Sequence, residues 1–362
     1  MRQARDRGHQ IFVDELASFA AGGADQRVNA IAERAGAPLR VAVHGRRGVG
    51  RGTVARALAR AGIGSGIQMV SPATAADLDV HVIAEVVKPE DRAAIGAARS
   101  SVLVVLNKAD LTGCLSRDAG PVPTGGPIAA ARTRCGHFSA LVGVPVEPMI
   151  GLLAVAALDG LDDASWAALR ALAAHPDGIA SLEDSYDGFV TADLPVPAEV
   201  RMRVLAGLDL FGTALGIAAF RQHRTPEQVR ALLRRVSGVD AVVDRVHAIG
   251  AEARYRRALD AVAELEALAV TDQSQSERIG EFLSHDDTVV ARMAAALDVA
   301  RAAGLDPEVA ACDDPAAHLS RAARWQRYSR GPVSELHRAC GADIARGSLR
   351  LWSRAVGGGG PG

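Results

Sequence analysis

The chain has 362 residues, room for two domains and a sizeable core, and 49% of them are apolar, which argues against overall disorder. Its net charge of −1 gives no global electrostatic case for nucleic-acid binding. Aromatic residues make up only 4%, so the expected core is built from Ala, Leu and Val, which suits helix-rich packing.

Met1 to Arg7 lead into no long apolar run, so no signal peptide is expected. No window of about twenty residues reads as apolar throughout, so no membrane span is expected and the anticipated location is cytoplasmic. Cys114, Cys135, Cys312 and Cys340 lack metal-ligand spacing and read as free thiols. Lys88 and Lys108 are the only lysines.

Residues 8–34 read as two amphipathic helices separated by Gly22-Gly23, with Ile11, Phe12, Leu16 and Phe19 on one apolar face and Val28, Ile31 and Ala32 on the other. A short strand over Leu39–His44 then feeds Gly45-Arg46-Arg47-Gly48-Val49-Gly50-Arg51-Gly52-Thr53 and an Ala/Leu-rich helix. Strand, glycine loop and helix in that order make a phosphate cradle, because backbone N–H groups and a helix amino terminus face an anion. The pattern Gly-x4-Gly-Lys-Ser/Thr starts at Gly45 and places its second glycine at Gly50. Arg51 then stands where lysine belongs and Gly52 where a Mg²⁺-binding hydroxyl belongs, with Thr53 one residue late. A planar guanidinium is not a simple substitute for a lysine point charge. The Mg²⁺ site is doubtful, with Thr53 its one candidate ligand.

A short strand is expected at Ile67–Val70 and another at Val80–Val86, with only about twenty residues between the first helix and the second of these strands. That interval contains no Asp-x-x-Gly, the loop that senses a γ-phosphate and its metal. Asp77 and Asp79 read as the beginning of the next strand, and His44 and His81 as strand residues. A helix over Asp91–Arg99 leads to the run Val102-Leu103-Val104-Val105-Leu106, a buried parallel strand. It ends in Asn107-Lys108-Ala109-Asp110, at the carboxyl end of a strand, where open α/β sheets place their ligands. An aspartate there can accept hydrogen bonds from the N1–H and 2-amino edge of guanine. The lysine stem can lie over the purine face, and Asn107 can tie this turn to the glycine loop.

Leu111–Gly126 reads as an exposed loop and Pro127–Val142 as a helix. Val146–Ile150 and Leu152–Val155 are expected to form a further strand. The run from Ala156 to Asp162 then has the shape of a Ser-Ala-x-x-Gly loop, in which the backbone at Ala156 and Ala157 buttresses guanine. The remainder is helical: Trp166–Ala174, Ser181–Phe189, Ala198–Gln222, a helix opened by the Thr225-Pro226-Glu227-Gln228 cap and closed at Ser237-Gly238, and Gly250–Val270. From His318 the chain is Arg-rich, with Arg321, Arg324, Arg327, Arg330, Arg338, Arg346, Arg350 and Arg354 interleaved with Trp325, Tyr328 and Trp352, opposed only by Glu335 and Asp343. Such a segment is either a solvated helix face with aromatic anchors or a contact with an anionic membrane or acidic partner. Gly357–Gly362 reads as a disordered end.

The order and spacing of the glycine loop, the Asn-Lys-x-Asp strand end and the following loop resemble the Ras-like GTPase domain of bacterial dynamin-like and Era-like proteins, over residues 38–175. Residues 200–270 are similar to the helices that follow this domain in dynamin-like proteins. The resemblance implies an α/β P-loop NTPase-like fold, a reduced Ras-like G domain followed by an α-helical domain. The divisions expected are N-terminal helices at 1–37, the GTPase-like domain at 38–178, the helical domain at 179–355 and a tail at 356–362. It further implies GTP or GDP bound by Gly45, Gly48, Gly50, Arg51, Gly52, Thr53, Asn107, Lys108, Asp110, Ala156 and Ala157. With the switches unrecognisable, the expected role is that of a guanine-nucleotide-binding or pseudo-GTPase regulator with at most weak turnover. The alternatives are a small dynamin-like GTPase active on dimerisation and a nucleotide-free adaptor. The expected partner is a second copy or another GTPase-like subunit, with peripheral membrane contact through the Arg-rich segment as a further option and no nucleic acid.

Overall fold

Two helices, α1 (Gly8–Ala21) and α2 (Gln26–Ala35), precede an alternation of strands and helices: β1 (Leu39–Gly45), α3 (Arg51–Ala61), β2 (Ile67–Val70), β3 (Leu78–Ala84), α4 (Pro89–Gly96), β4 (Ser101–Asn107), α5 (Gly126–Val142) and β5 (Val146–Pro148). Helices follow: α6 (Gly151–Asp159), α7 (Asp163–Ala174), α8 (Ser181–Asp184), α9 (Tyr186–Thr191), α10 (Ala198–Arg221), α11 (Pro226–Ser237), α12 (Val239–Ile249), α13 (Ala251–Thr271), α14 (Gln273–Ser284), α15 (Asp286–Ala302), α16 (Pro315–Ser329) and α17 (Glu335–Gly357). This computed structural model describes residues 8–23, 25–112, 126–305 and 314–357. Cys114, Cys312, most of the loop expected at 111–126 and the tail beyond Gly357 lie outside the described residues.

The strands form one sheet in the order β2-β1-β3-β4-β5, and the pairs β1–β3, β3–β4 and β4–β5 run parallel. Leu103, Val104, Val105 and Leu106 are all fully buried, the pattern of a strand covered on both faces. Val104 and Leu106 share a core with Ile83, with Ile95 of α4 and with Cys135 of α5. Burial pushes the Cys135 thiol up to about 12, so it is a packing residue rather than a reactive one. The expected α/β domain with an added helical region is therefore present.

One expected strand is a helix. Leu152–Val155 lies within α6, and Leu153 is fully buried. A four-residue apolar run does not distinguish strand from buried helix by pattern, and Leu and Ala favour the helix, which starts at Gly151.

The chain divides into two compact units, residues 40–246 on the one hand and residues 1–39 with 247–362 on the other. This differs from the division expected at residue 178, and the reason lies in packing. Trp166, Leu169, Phe189, Leu208, Ile217 and Leu233 share one core with Ile150 and Leu153, at the start of α6. The turn between α11 and α12 is fastened to the end of β5, where the Ile150 N–H donates to Ser237 O at 2.8 Å. Gly238 in that turn has φ +76°, and a Cβ there would fall 2.6 Å from Pro148 O.

Helix α10 bears on the expectation that no segment spans a membrane. It spans 24 residues with a mean hydropathy of 1.5 over its most apolar window, long and apolar enough to cross a membrane by length and composition. Val204, Leu205, Leu208 and Ile217 place much of that apolar surface in the core just described. The helix also breaks at Asp209, whose φ of 57° and ψ of −176° are far from helical values.

In the other unit, Phe12, Leu16, Val28 and Ile31 pack with Leu265 and Ile279, so the N-terminal helices share a core with α13 and α14. Ile11, expected on the buried face, is 46% exposed. A second core joins Tyr255, Met293, Trp325, Cys340 and Ile344. The Arg-rich segment finds acidic partners on α15 that sequence order does not suggest. Arg350 and Arg354 pair with Asp286 at 3.3 and 3.1 Å, and Arg354 with Asp287 at 2.8 Å. Arg346 pairs with Asp343 at 3.2 Å, and the buried Arg321 donates to Ser348 Oγ at 2.8 Å.

The fastening of α11 and α12 to the sheet is open to test. Gly238→Ala puts a side chain both into a left-handed backbone position and against Pro148 O, and should destabilise the chain by about 2 kcal/mol in urea unfolding. An unchanged midpoint would contradict this packing.

Candidate functional site

The candidate site lies at the carboxyl ends of β1, β4 and β5. After β1 the chain turns through Gly45, Gly48 and Gly50, all at positive φ, into α3. Gly50 occupies the N-cap position of α3 at φ +85°, so no side chain caps the helix start. A Cβ at Gly50 would fall 2.2 Å from Asn107 Nδ2, so this position is restricted to glycine by both backbone and space. Gly48, by contrast, faces open space. Arg51 and Gly52 are exposed in the first turn of α3, and Thr53 is half-buried with its methyl group towards Gly151.

Asn107 makes the tie that its place at the strand end leads one to expect. Its Nδ2 donates to Val49 O at 2.9 Å, and its Oδ1 accepts the Gly151 N–H at 2.9 Å, with the side chain buried. One amide thus spans the glycine loop and the start of α6. Lys108 follows in the left-handed region at φ 56°, exposed. A single 3-10 turn, Ala109–Leu111, then buries Asp110, and the Ala109 N–H donates to Met149 O at 3.2 Å.

Burial pushes the Asp110 carboxyl above the usual aspartate range. Its own backbone N–H lowers it, the carboxylate of Asp209 raises it further, and Lys108 partly opposes that. Asp209 is the residue at the break in α10.

Ala156 and Ala157 do not form the loop expected of them. Both are buried within α6, a turn and more beyond its start. The segment that meets the Asn107–Asp110 turn is instead Met149-Ile150-Gly151, directly after β5, through the bonds to Ala109 and Asn107. Asp77 and Asp79 flank the start of β3, at the end of the sheet opposite the glycine loop. Asp77 accepts the Arg40 N–H at 2.7 Å, and Asp79 accepts His44 Nε2 at 3.0 Å and the Ser100 hydroxyl.

A charged cluster beside the loop escaped the sequence reading. Asp91, in the first turn of α4, is completely buried. It accepts Arg46 Nε at 2.9 and 3.1 Å, the Lys88 N–H at 3.0 Å and a bond from His81 Nε2 at 3.2 Å, with the ring proton on that nitrogen. Burial raises this carboxyl, but the bonds from Arg46, Lys88 and His81 outweigh it and hold the group below the usual range. The sequence signals only that an acidic residue stands three positions into a Pro-initiated helix; nothing local announces Arg46 as its partner. Among the described residues no group of His, Cys, Asp and Glu has the arrangement of a metal site.

No model of a known protein family matches the chain, and no curated protein matches it.

Two outcomes follow from this geometry. Asn107→Ala strands a buried carbonyl and a buried N–H together, and should cost about 2–4 kcal/mol of unfolding free energy in a denaturant titration; a loss under about 0.5 kcal/mol, the scale of a surface change, would show that the bridge does not hold the loops. Asp110→Asn should act in the opposite direction. A carboxyl raised in the folded state opposes folding once ionised, so the wild type loses stability as pH rises above the ordinary aspartate value of 3.8 and through the folded value. The variant should therefore melt higher than wild type at neutral pH, with the difference shrinking as pH falls towards 3.8. A lower melting temperature at neutral pH would contradict the burial argument.

Proposed function

We propose that residues 40–246 form a reduced P-loop GTPase-like domain of the dynamin-like and Era-like kind, which binds guanine nucleotide between the glycine loop and the Asn107–Asp110 turn. The observation that carries this reading is the Asn107 amide joined to both Val49 and Gly151. That tie joins the glycine loop, the strand end that precedes Asp110 and the segment after β5, and it supports a single site shared by the three. In this reading the phosphates lie on the N–H groups of the loop and of the α3 start, where anions are favoured. The base meets the carboxylate of Asp110 and the stem of Lys108.

Hydrolysis is not assigned to the chain. Gly52 carries no hydroxyl for Mg²⁺, and the segment from Ser71 to Asp77 that follows β2 offers no Asp-x-x-Gly. A domain without a γ-phosphate sensor has nothing for hydrolysis to release. The role that fits is a nucleotide-binding regulator that pairs with a second copy or another GTPase-like subunit.

Calorimetry of the full chain with GDP, GTP and ATP tests the base assignment. Guanine nucleotides should bind more tightly than ATP, and Asp110→Ala should erase the preference, with a loss of about 2–4 kcal/mol for the charge-assisted bonds removed. Equal affinity for GTP and ATP in the wild type would overturn it.

A further inference from the structure

The glycine loop lacks the lysine of its pattern, and Arg51 at that position is exposed with no hydrogen-bond partner among the described residues. Arg46, one residue beyond the first glycine, is held quite differently. We propose that Arg46, oriented by Asp91, is the cation that grips the phosphate chain of the ligand, and that Arg51 is dispensable; the proposal rests on the nucleotide reading above.

Three features of the loop support it. First, Arg46 uses only Nε towards Asp91, at 2.9 and 3.1 Å. Its two Nη groups have no hydrogen-bond partner among the described residues, so four of the five guanidinium N–H donors remain available. Secondly, the anchor is rigid. Asp91 has no solvent exposure and is fixed by the Lys88 N–H and by His81, while the Arg46 side chain keeps 26% of its surface in solvent. The guanidinium is thus clamped at its inner edge and open at its outer edge. Thirdly, Gly48 is exposed, and among the described residues no atom lies within 4 Å of where its Cβ would stand, which leaves room for a phosphate beside the loop.

Orientation is the advantage over Arg51. An exposed arginine must lose most of its rotamer freedom to hold a phosphate, whereas Arg46 has already lost it on folding. Asp91 also offsets part of the charge of Arg46, and Glu90 adds a second negative neighbour. The contribution of Arg46 is therefore directed hydrogen bonding more than bare Coulomb attraction, which suits a planar fork on phosphate oxygens. In this scheme Arg46 is a binding residue and Asp91 a positioning residue.

A purely structural clamp between the loop and α4 would look similar at rest, so the test separates the two roles by ligand. Calorimetry of the full chain with tripolyphosphate, GDP, ADP and guanosine is compared for wild type, Arg46→Gln, Arg51→Gln and the double variant Arg46→Gln with Asp91→Asn. The double variant leaves no buried carboxylate without its partner, and stands in if the single variant does not fold. Loss of the arginine should weaken GDP and tripolyphosphate by about tenfold or more and leave guanosine unchanged, while Arg51→Gln stays within about threefold of wild type. The proposal is overturned if folded Arg46 variants bind GDP like wild type, if guanosine weakens as much as GDP, or if the wild type binds neither GDP nor tripolyphosphate. If GDP and ADP bind alike and both weaken without Arg46, the phosphate assignment stands and the guanine reading fails.

Discussion

One side-chain amide sets the geometry on which the candidate site depends. Asn107 spends both ends of its carboxamide on backbone groups of other segments, donating to Val49 O and accepting from the Gly151 N–H. Parallel strands fix the directions of β1, β4 and β5 but not the separation of the loops that leave them. The amide sets the spacing of its own strand end to the two other segments, and being buried it leaves little room for alternatives. The requirement for glycine at Gly50 and the close approach of Gly151 are consequences, because a side chain at either position would strike Asn107.

Two buried aspartates near this frame are shifted in opposite directions. Asp91 is matched by Arg46, the Lys88 N–H and His81, and these bonds outweigh its burial. It ties the glycine loop to α4, the role in which a buried charge is well supported. Asp110 is raised by burial, and Asp209 adds to the rise. Asp209 sits at a backbone conformation far from its helix, with its own carboxylate accepting the Leu210 N–H and its carbonyl accepting the Thr213 hydroxyl. Strain and an opposed carboxylate at one place mark ground where local stability has given way to something else.

Much of the architecture was legible because it follows from short-range pattern. The short, Val-rich apolar run at 102–106 favours a strand buried on both faces over a helix, and the Thr225 cap with Pro226 and Gln228 announces α11, whose capping box is present. The bond from Asn107 to the glycine loop was also legible, since an amide at a strand end beside a glycine loop has few other acceptors. What could not be read depends on distant partners. Leu152–Val155 lies in a helix that starts at Gly151, Ala156 and Ala157 lie inside that helix, and Met149–Gly151 meets the Asn107 turn instead. The pairing of Arg46 with Asp91, 45 residues away, leaves no mark in the local sequence. The same is true of the Arg-rich segment, whose opposing charges at Asp286 and Asp287 lie on an earlier helix.

The central claim is that the glycine loop, the Asn107 amide and the Asp110 turn form a single ligand site. Amide-detected NMR of the isotopically labelled chain during a GDP titration tests it most directly, because backbone and side-chain amides report separately on each part. The account predicts that the Gly48, Gly50 and Arg51 amides, the Asn107 side-chain amide and the Lys108–Asp110 amides shift together along one binding curve. Shifts confined to other parts of the chain, or shifts of the loop and the turn along separate curves, would contradict it.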